Sequence, residues 1–218
     1  MALRGNAMLA PVAVAAPSFT AVLFGLSGCL VDFGAQARTL LGGDGRSLTG
    51  HDAQPFATPA PGAINALRYL KQHGIPCAWI DEYPAPITDQ LAAALGAMVH
   101  STPMPGNRWP APDACWQALM TLGVKQLDGC VLVSGDPLLL MAGINAGLWT
   151  VGLASCGPLC GVPPAVWDAM SDLDRERRRG RATLELYAAG AHSVIDHLGE
   201  LESCLADITL RRQKSEKP

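Results

Sequence analysis

The stretch Phe19-Thr-Ala-Val-Leu-Phe-Gly-Leu-Ser-Gly-Cys-Leu-Val-Asp-Phe-Gly34 decides how the rest of the chain is read. Residues 19–26 form an apolar run, the mark of a strand covered on both faces. Outward from it, strand-length apolar runs alternate with segments of helical period. Thr58-Pro-Ala-Pro-Gly62 punctuates the chain before a helix carrying Ile64, Leu67 and Leu70 on one side and stopped by Gly74. Residues 75–80 read as a second strand. Ile87, Leu91, Ala94 and Leu95 follow at helical spacing, closed by Gly96, and residues 97–100 read as a short third strand. After a loop at 103–106, Cys115, Ala118, Leu119 and Leu122 mark a helix ended by Gly123. Residues 130–134 and 149–153 read as strands around a helix over 138–146. Leu184, Tyr187, Ala188 and Ala191 lie on a late helix before a last short strand at Val194-Ile195. Such alternation predicts an α/β fold, a doubly wound three-layer α/β/α Rossmann-like core on a parallel sheet. In such sheets ligands sit beyond the carboxyl ends of the strands, here residues 25–29, 81–83 and 134–137.

Composition agrees with one such domain. Of 218 residues, 49% are hydrophobic and 16% charged, so a sizeable core is available. The core domain is expected over 18–207, with a flexible N-terminal extension at 1–17 and a flexible tail at 208–218. Sixteen basic against nineteen acidic residues give a net charge of −3, so no positive field gathers nucleic acid or an anionic membrane. No stretch reaches the ~18 consecutive apolar residues that a spanning helix requires. The seven cysteines form no CxxC pair, and Cys29, Cys77 and Cys130 sit in apolar runs as small core residues. Cys156 and Cys160 bracket a Gly-Pro loop and offer a metal or disulfide pair, but no His or Cys pair elsewhere completes a zinc set. Arg4 and the apolar stretch ending Ala13-Val-Ala15 imitate an export signal, which Pro11 interrupts; a cytoplasmic location is expected.

Three segments carry a family resemblance. Phe24-Gly-Leu-Ser-Gly-Cys-Leu-Val-Asp-Phe-Gly-Ala35 resembles the first motif of the haloacid-dehalogenase-like hydrolases, in the form found in the phosphonoacetaldehyde hydrolase branch. Gly28, Asp32, Phe33 and Gly34 fall in register with that branch. Gly143-Ile-Asn-Ala-Gly-Leu-Trp-Thr-Val-Gly-Leu153 and Ala188-Ala-Gly-Ala-His-Ser-Val-Ile-Asp196 are similar to two later segments of it. The resemblance covers roughly residues 19–35 and 60–205.

What the resemblance implies fails at the working positions. The family mechanism uses an Asp carboxylate that attacks phosphorus and binds Mg²⁺. The aligned residue is Gly25, which has no side chain. Ser27 occupies the position that is an acid/base Asp in most of the superfamily and Ala in this branch. The hydroxyl that would donate to the phosphoryl group is replaced by Asp81, whose charge would repel a phosphate dianion. The cation of the third motif aligns with Trp109, with Arg108 beside it. The acidic Mg²⁺ ligands of the fourth motif align with Ser134 and Gly135, Asp136 being adjacent. The branch's helical cap, with its Schiff-base lysine, shrinks to a loop over 33–60. No lysine precedes Lys71.

The expectation is therefore a catalytically inactive relative with cap absent or vestigial. It has no catalytic residues, no metal site and no cofactor. Its vestigial pocket is formed by Gly25, Ser27, Asp81, Arg108, Trp109, Ser134, Gly135 and Asp136. A protein partner, or a small anion, would dock there; nucleic acid and membrane are not expected. The alternatives are a hydrolase with displaced groups, using Asp81, Glu82 or Asp136 around Mg²⁺, and a module that senses phosphate or phosphonate.

Each of these residues also has a plainer reading. Asp81 and Glu82 read as exposed loop acids, Asp136 as the N-cap of the next helix, and Arg108 as a solvated loop residue. Trp109, Trp116 and Trp149 read as packing residues. His51, His73, His100, His192 and His197 show no ligand spacing. Arg175, Arg177, Arg178, Arg179 and Arg181 interleave with Asp172, Asp174 and Glu176, as on a solvated helix face. Gly25-Leu-Ser-Gly28 lacks the GxGxxG spacing of a dinucleotide turn, and no GxxxxGK[ST] occurs.

Overall fold

The structure, a computed structural model, describes residues 18–41, 50–102 and 107–218. The extension expected at 1–17 and the loop expected at 103–106 lie outside them. β1 (Ala21–Gly25) is the pivot of the sheet: its five residues are buried, and it pairs in parallel with β2 (Cys77–Ile80) on one side and β4 (Cys130–Ser134) on the other. β3 (His100–Ser101) extends the sheet beyond β2. β5 (Trp149–Leu153) and β6 (Ser193–Ile195) extend it beyond β4. The order is β3-β2-β1-β4-β5-β6, so the chain changes direction across the sheet between β1 and β4. A crevice opens at such a switch point, beyond the strand ends.

Alternate residues of each strand serve opposite layers. Val22 and Phe24 join a core with Leu67 and Leu70 of α3 (Ala63–Gln72), Ile87 and Leu91 of α4 (Ala85–Ala92), and Leu205 and Ile208 of α9 (Leu201–Gln213). Ala21 and Leu23 face Cys115 and Leu119 of α5 (Asp113–Thr121) and Leu139 and Ala142 of α6 (Pro137–Asn145). A smaller cluster joins Leu140 of α6 to Ala182 and Leu186 of α8 (Asp172–Ala188). Between β1 and α3 the described residues form two single-turn helices, α1 (Arg38–Leu41) and α2 (Gly50–Ala53), and a 3-10 turn over Gln54–Phe56. α7 (Pro164–Ala169) stands before α8. Among the described residues no helix is long and apolar enough to cross a membrane.

Several expectations need correction. The third strand begins at His100, not at residue 97, because a turn through Gly96, with φ of +54°, carries the chain in 3-10 form to Met98. The late helix begins at Asp172, where the Ser171 hydroxyl accepts the Asp174 N–H and caps it. Residues 208–213 are not a flexible tail but the last turns of α9. Ile208 is fully buried, and Leu201, Cys204, Leu205 and Ile208 fall at i, i+3, i+4 and i+7 on one face. The Arg212 guanidinium, 4% exposed, pairs with Asp128 at 2.8 Å and donates to the Ser18 carbonyl at 3.0 Å, tying this helix to the start of the domain. Cys156 and Cys160 form no disulfide; all seven cysteines are free and buried.

If α9 belongs to the core, Ile208→Ala should cost about 2–4 kcal/mol of unfolding free energy, the range for truncating a buried aliphatic side chain. A disordered tail would tolerate the change within about 0.5 kcal/mol. Urea titration followed by circular dichroism separates the two.

Candidate functional site

The carboxyl ends of β1, β2 and β4 surround a narrow cleft of about 180 Å³. Gly25, Ser27, Asp81, Arg108, Trp109, Ser134 and Asp136 all line it, so seven of the eight residues singled out from the sequence converge. Gly135 does not line it. It is pressed against the backbone of Gly157, where a Cβ would lie 2.5 Å from the Gly157 Cα; its role is a close backbone crossing. Ala35, Arg38, Glu82, Tyr83, Leu139 and Pro158 complete the wall. Of these, Glu82 and Tyr83 lie within a strand end marked from sequence, and Glu82 is one of the acids named there for the displaced-hydrolase alternative. Arg38 carried no signal, because a folded loop brings it to Asp136 from 98 residues away.

The floor is Gly25. A Cβ built there would meet the Ser134 Oγ at 3.1 Å and the Leu139 Cδ2 at 3.3 Å, so a side chain at this position requires those two side chains to give by a few tenths of an ångström. Ser134, the last residue of β4, accepts the Asp136 N–H on its hydroxyl at 2.9 Å.

The acids of the cleft are held by the protein itself. Asp81 leaves β2 and accepts the Ser27 N–H at 2.9 Å on one carboxylate oxygen and the Tyr83 N–H at 3.1 Å on the other. Glu82 accepts the Trp109 N–H at 2.7 Å. Asp136 caps α6 by accepting the Leu138 N–H at 2.8 Å, and pairs with Arg38 at 3.0 Å. The N-cap reading of Asp136 is thus its observed role, with an ion pair added. Behind the cleft, buried Asp32 accepts the Ser27 hydroxyl at 2.6 Å and the N–H groups of Gln36 and Ala37, both at 2.9 Å. Burial is the chief cause that raises both carboxyls above their ordinary range. It takes Asp81 to about 6 against the lowering effect of its N–H partners, and it lifts Asp32 against the lowering effect of Ser27, Ala37 and Gln36. Burial also pushes the Tyr83 phenol up, with the Asp81 charge adding to it.

Electrostatically the cleft sets Arg38 and Arg108 against Asp81, Glu82 and Asp136. One cation is already paired and the other is exposed. A phosphoryl dianion would meet more carboxylate than guanidinium. The Trp109 indole N–H is buried without an acceptor among the described residues. Nor do these side chains fit the Mg²⁺ that the resemblance implies. That ion takes one or two carboxylates and substrate oxygens in an octahedron. Gly25 offers no oxygen from its side chain, and Asp136 is engaged by a helix N-terminus and an arginine. Among the described residues, no three His, Cys, Asp or Glu side chains are grouped to hold a metal.

No family model matches the chain. The phosphonoacetaldehyde hydrolase of Klebsiella pneumoniae subsp. pneumoniae is 33% identical over 170 residues, covering 75% of this chain and 63% of that protein. The chain therefore spans less than two thirds of the length of such relatives. A solved structure with 59% sequence identity superposes with a TM-score of 0.85, covering 92% of this chain and 100% of that one. A phosphonoacetaldehyde hydrolase like protein from Oleispira antarctica, 22% identical, superposes with a TM-score of 0.83 over 97% of this chain and 100% of its own, and shows the same fold.

The raised Asp81 carboxyl has a consequence for stability. Folded, it holds its proton to about pH 6; unfolded, to about pH 4. Between those values the folded state binds more protons, so its stability falls as pH rises. Asp81→Asn removes the titration. From pH 4 to pH 7 the wild type should lose about 2–3 kcal/mol relative to this variant, whatever constant offset the lost acceptor imposes. Denaturant melts of both proteins at four pH values give the difference directly; parallel profiles would contradict it.

Proposed function

Because the chain belongs to the haloacid-dehalogenase-like superfamily, we propose that it is a relative of phosphonoacetaldehyde hydrolase that has given up turnover and acts as a cytoplasmic binding protein, docking a protein partner. The observation that carries this reading is Gly25. The superfamily reaction begins with a carboxylate on this strand end, and here the position is bare and crowded by Ser134 and Leu139. Losing a covalent nucleophile typically removes ~10⁴-fold or more of the rate. The neighbouring acids do not replace it. Asp81 and Glu82 are bound to backbone N–H groups, and Asp136 serves α6 and Arg38.

Residues 33–60 support the same reading. In this proposal they replace the cap, and the stretch from Gly34 to Gly62 contains no lysine that would capture an aldehyde. A fold retained without its chemistry is a scaffold for other work. Phosphate or phosphonate binding without turnover is the second reading, favoured by the unpartnered Trp109 indole N–H next to Arg108.

The test is phosphate release from phosphonoacetaldehyde and from an aryl phosphate, with Mg²⁺ and with chelator, for the wild type and for Gly25→Asp. No release above the uncatalysed rate is expected from the wild type. Gly25→Asp should also stay inactive, because it restores one carboxylate but neither the hydroxyl at residue 81 nor a second metal acid. Metal-dependent release by the wild type would overturn the proposal in favour of a hydrolase using Asp136 or Asp81. Saturable stabilisation by phosphate alone, without product, would favour the second reading.

A further inference from the structure

A second concave surface lies on the far side of the loop that follows β1. Two cavities, of about 550 and 420 Å³, share Phe33, Pro61 and Trp167 as a common wall. Both are larger than the cleft at Gly25. The Phe33 and Trp167 rings meet there, with centroids 5.7 Å apart and planes inclined at 58°. The two halves differ in chemistry. One is built from prolines and aromatics: Pro55, Phe56, Pro59, Pro61, Pro163 and Pro164 join the ring pair. The other is charged, lined by Asp172, Arg175, Glu176, Arg179, Asp196 and His197.

The charge is unbalanced. Arg175 is paired with Asp172 at 2.6 Å, and Arg179 is paired with Asp196. Both cations are thereby neutralised. Glu176 in the charged half and Asp168 in the apolar half have no ion-pair or hydrogen-bond partner among the described residues, and both are exposed. The groove therefore offers an apolar surface flanked by two carboxylates without a partner among the described residues.

We infer that this groove docks a proline-rich segment of a partner protein, in polyproline II form, with an Arg or Lys next to its prolines. Three features argue for that occupant. An extended polyproline helix repeats every three residues, about 9 Å, and lays its prolines against aromatic and proline walls; the Phe33–Trp167 pair is the wall that the apolar and the charged cavity share. Its conformation is set before binding, so the segment itself loses little entropy on a surface of proline and aromatic side chains. Its basic neighbour answers Asp168 and Glu176, a complementarity that a purely apolar or acidic segment lacks. The indole N–H of Trp167 donates to no described residue, leaving it for a carbonyl of the docked chain. This inference names the partner class for the binding role proposed above. It rests on that reading only for the existence of a partner.

The experiment uses the full chain against an array of dodecapeptides holding a Pro-x-x-Pro core with one to three Arg or Lys on either flank. Matched arrays carry Ala for Pro, or Glu for the basic residues, and the strongest binder is titrated by fluorescence anisotropy. Binding restricted to the basic proline-rich array is expected. It should weaken at least tenfold in Trp167→Ala, and weaken further with added salt. The double variant Asp168→Lys, Glu176→Lys changes only exposed side chains. It should lose the basic peptides while its melting temperature is kept, which holds the test open if Trp167→Ala unfolds. Failure of every basic proline-rich peptide to bind would overturn the groove assignment. So would binding indifferent to both variants, or a dimer in light scattering that Trp167→Ala dissociates. Phosphate release is measured on the same samples. Absence of both release and peptide binding removes the groove and leaves the inactive-relative reading intact; release with peptide binding does the reverse.

Discussion

Ser27 is gripped from two sides, its N–H by Asp81 and its hydroxyl by Asp32, and the loop after β1 takes its shape from that grip. Polar backbone at a buried turn has to find partners, and carboxylates accepting several N–H groups are among the strongest available. Asp32 accepts two more, from Gln36 and Ala37, while holding a left-handed backbone with φ of +58°. Gly34 then lies against the backbone of Val162, at a φ of +79° and with no space for a Cβ. One folded loop thus fixes two surfaces. Ser27 and Ala35 face the cleft at the strand ends, and Phe33 and Gln36 face the groove.

The same bonds explain what the strand ends are able to do. A carboxylate that works as nucleophile, base or metal ligand needs free lone pairs aimed at the reacting atoms. Around Gly25, each nearby carboxylate accepts at least one hydrogen bond from the fold. Asp81 organises the β1 loop, Glu82 holds the backbone at Trp109, and Asp136 starts α6 and anchors Arg38. Burial of Asp81 further favours its neutral form. Together these bonds make the rim of the cleft a hydrogen-bonded one.

How much of this was legible in sequence depended on how local the signal was. The central strands were legible because parallel strands buried on both faces must be apolar throughout; β4 and β5 fall at the residues expected. The cleft was legible because strand ends in such a sheet converge by topology, which brought Ser27, Asp81, and the neighbouring Ser134 and Asp136 together from three parts of the chain. Arg38 was not legible, since its place depends on a loop fold. α9 carried a readable apolar face at Leu201, Cys204, Leu205 and Ile208, but no helix is expected there from the sequence reading and the core domain is ended at residue 207. The groove left no periodic trace. Its walls come from irregular, proline-rich segments around 55–61 and 163–168, where side-chain direction follows no repeat.

The arginine run of α8 shows why local partners matter more than composition. Five arginines within seven residues would suggest an anion-binding stripe. Instead Arg175, Arg177 and Arg181 pair with Asp172, Asp174 and Glu185 on their own helix, Arg178 donates to the Cys160 carbonyl, and Arg179 pairs with Asp196 beyond β6. Such exposed pairs add little stability, but they cancel the field near their own helix face. What remains at the groove is the charge left over, on Asp168 and Glu176. Among the described residues that line the groove, the two carboxylates without a partner set the local charge, which a count of the arginines on α8 does not give.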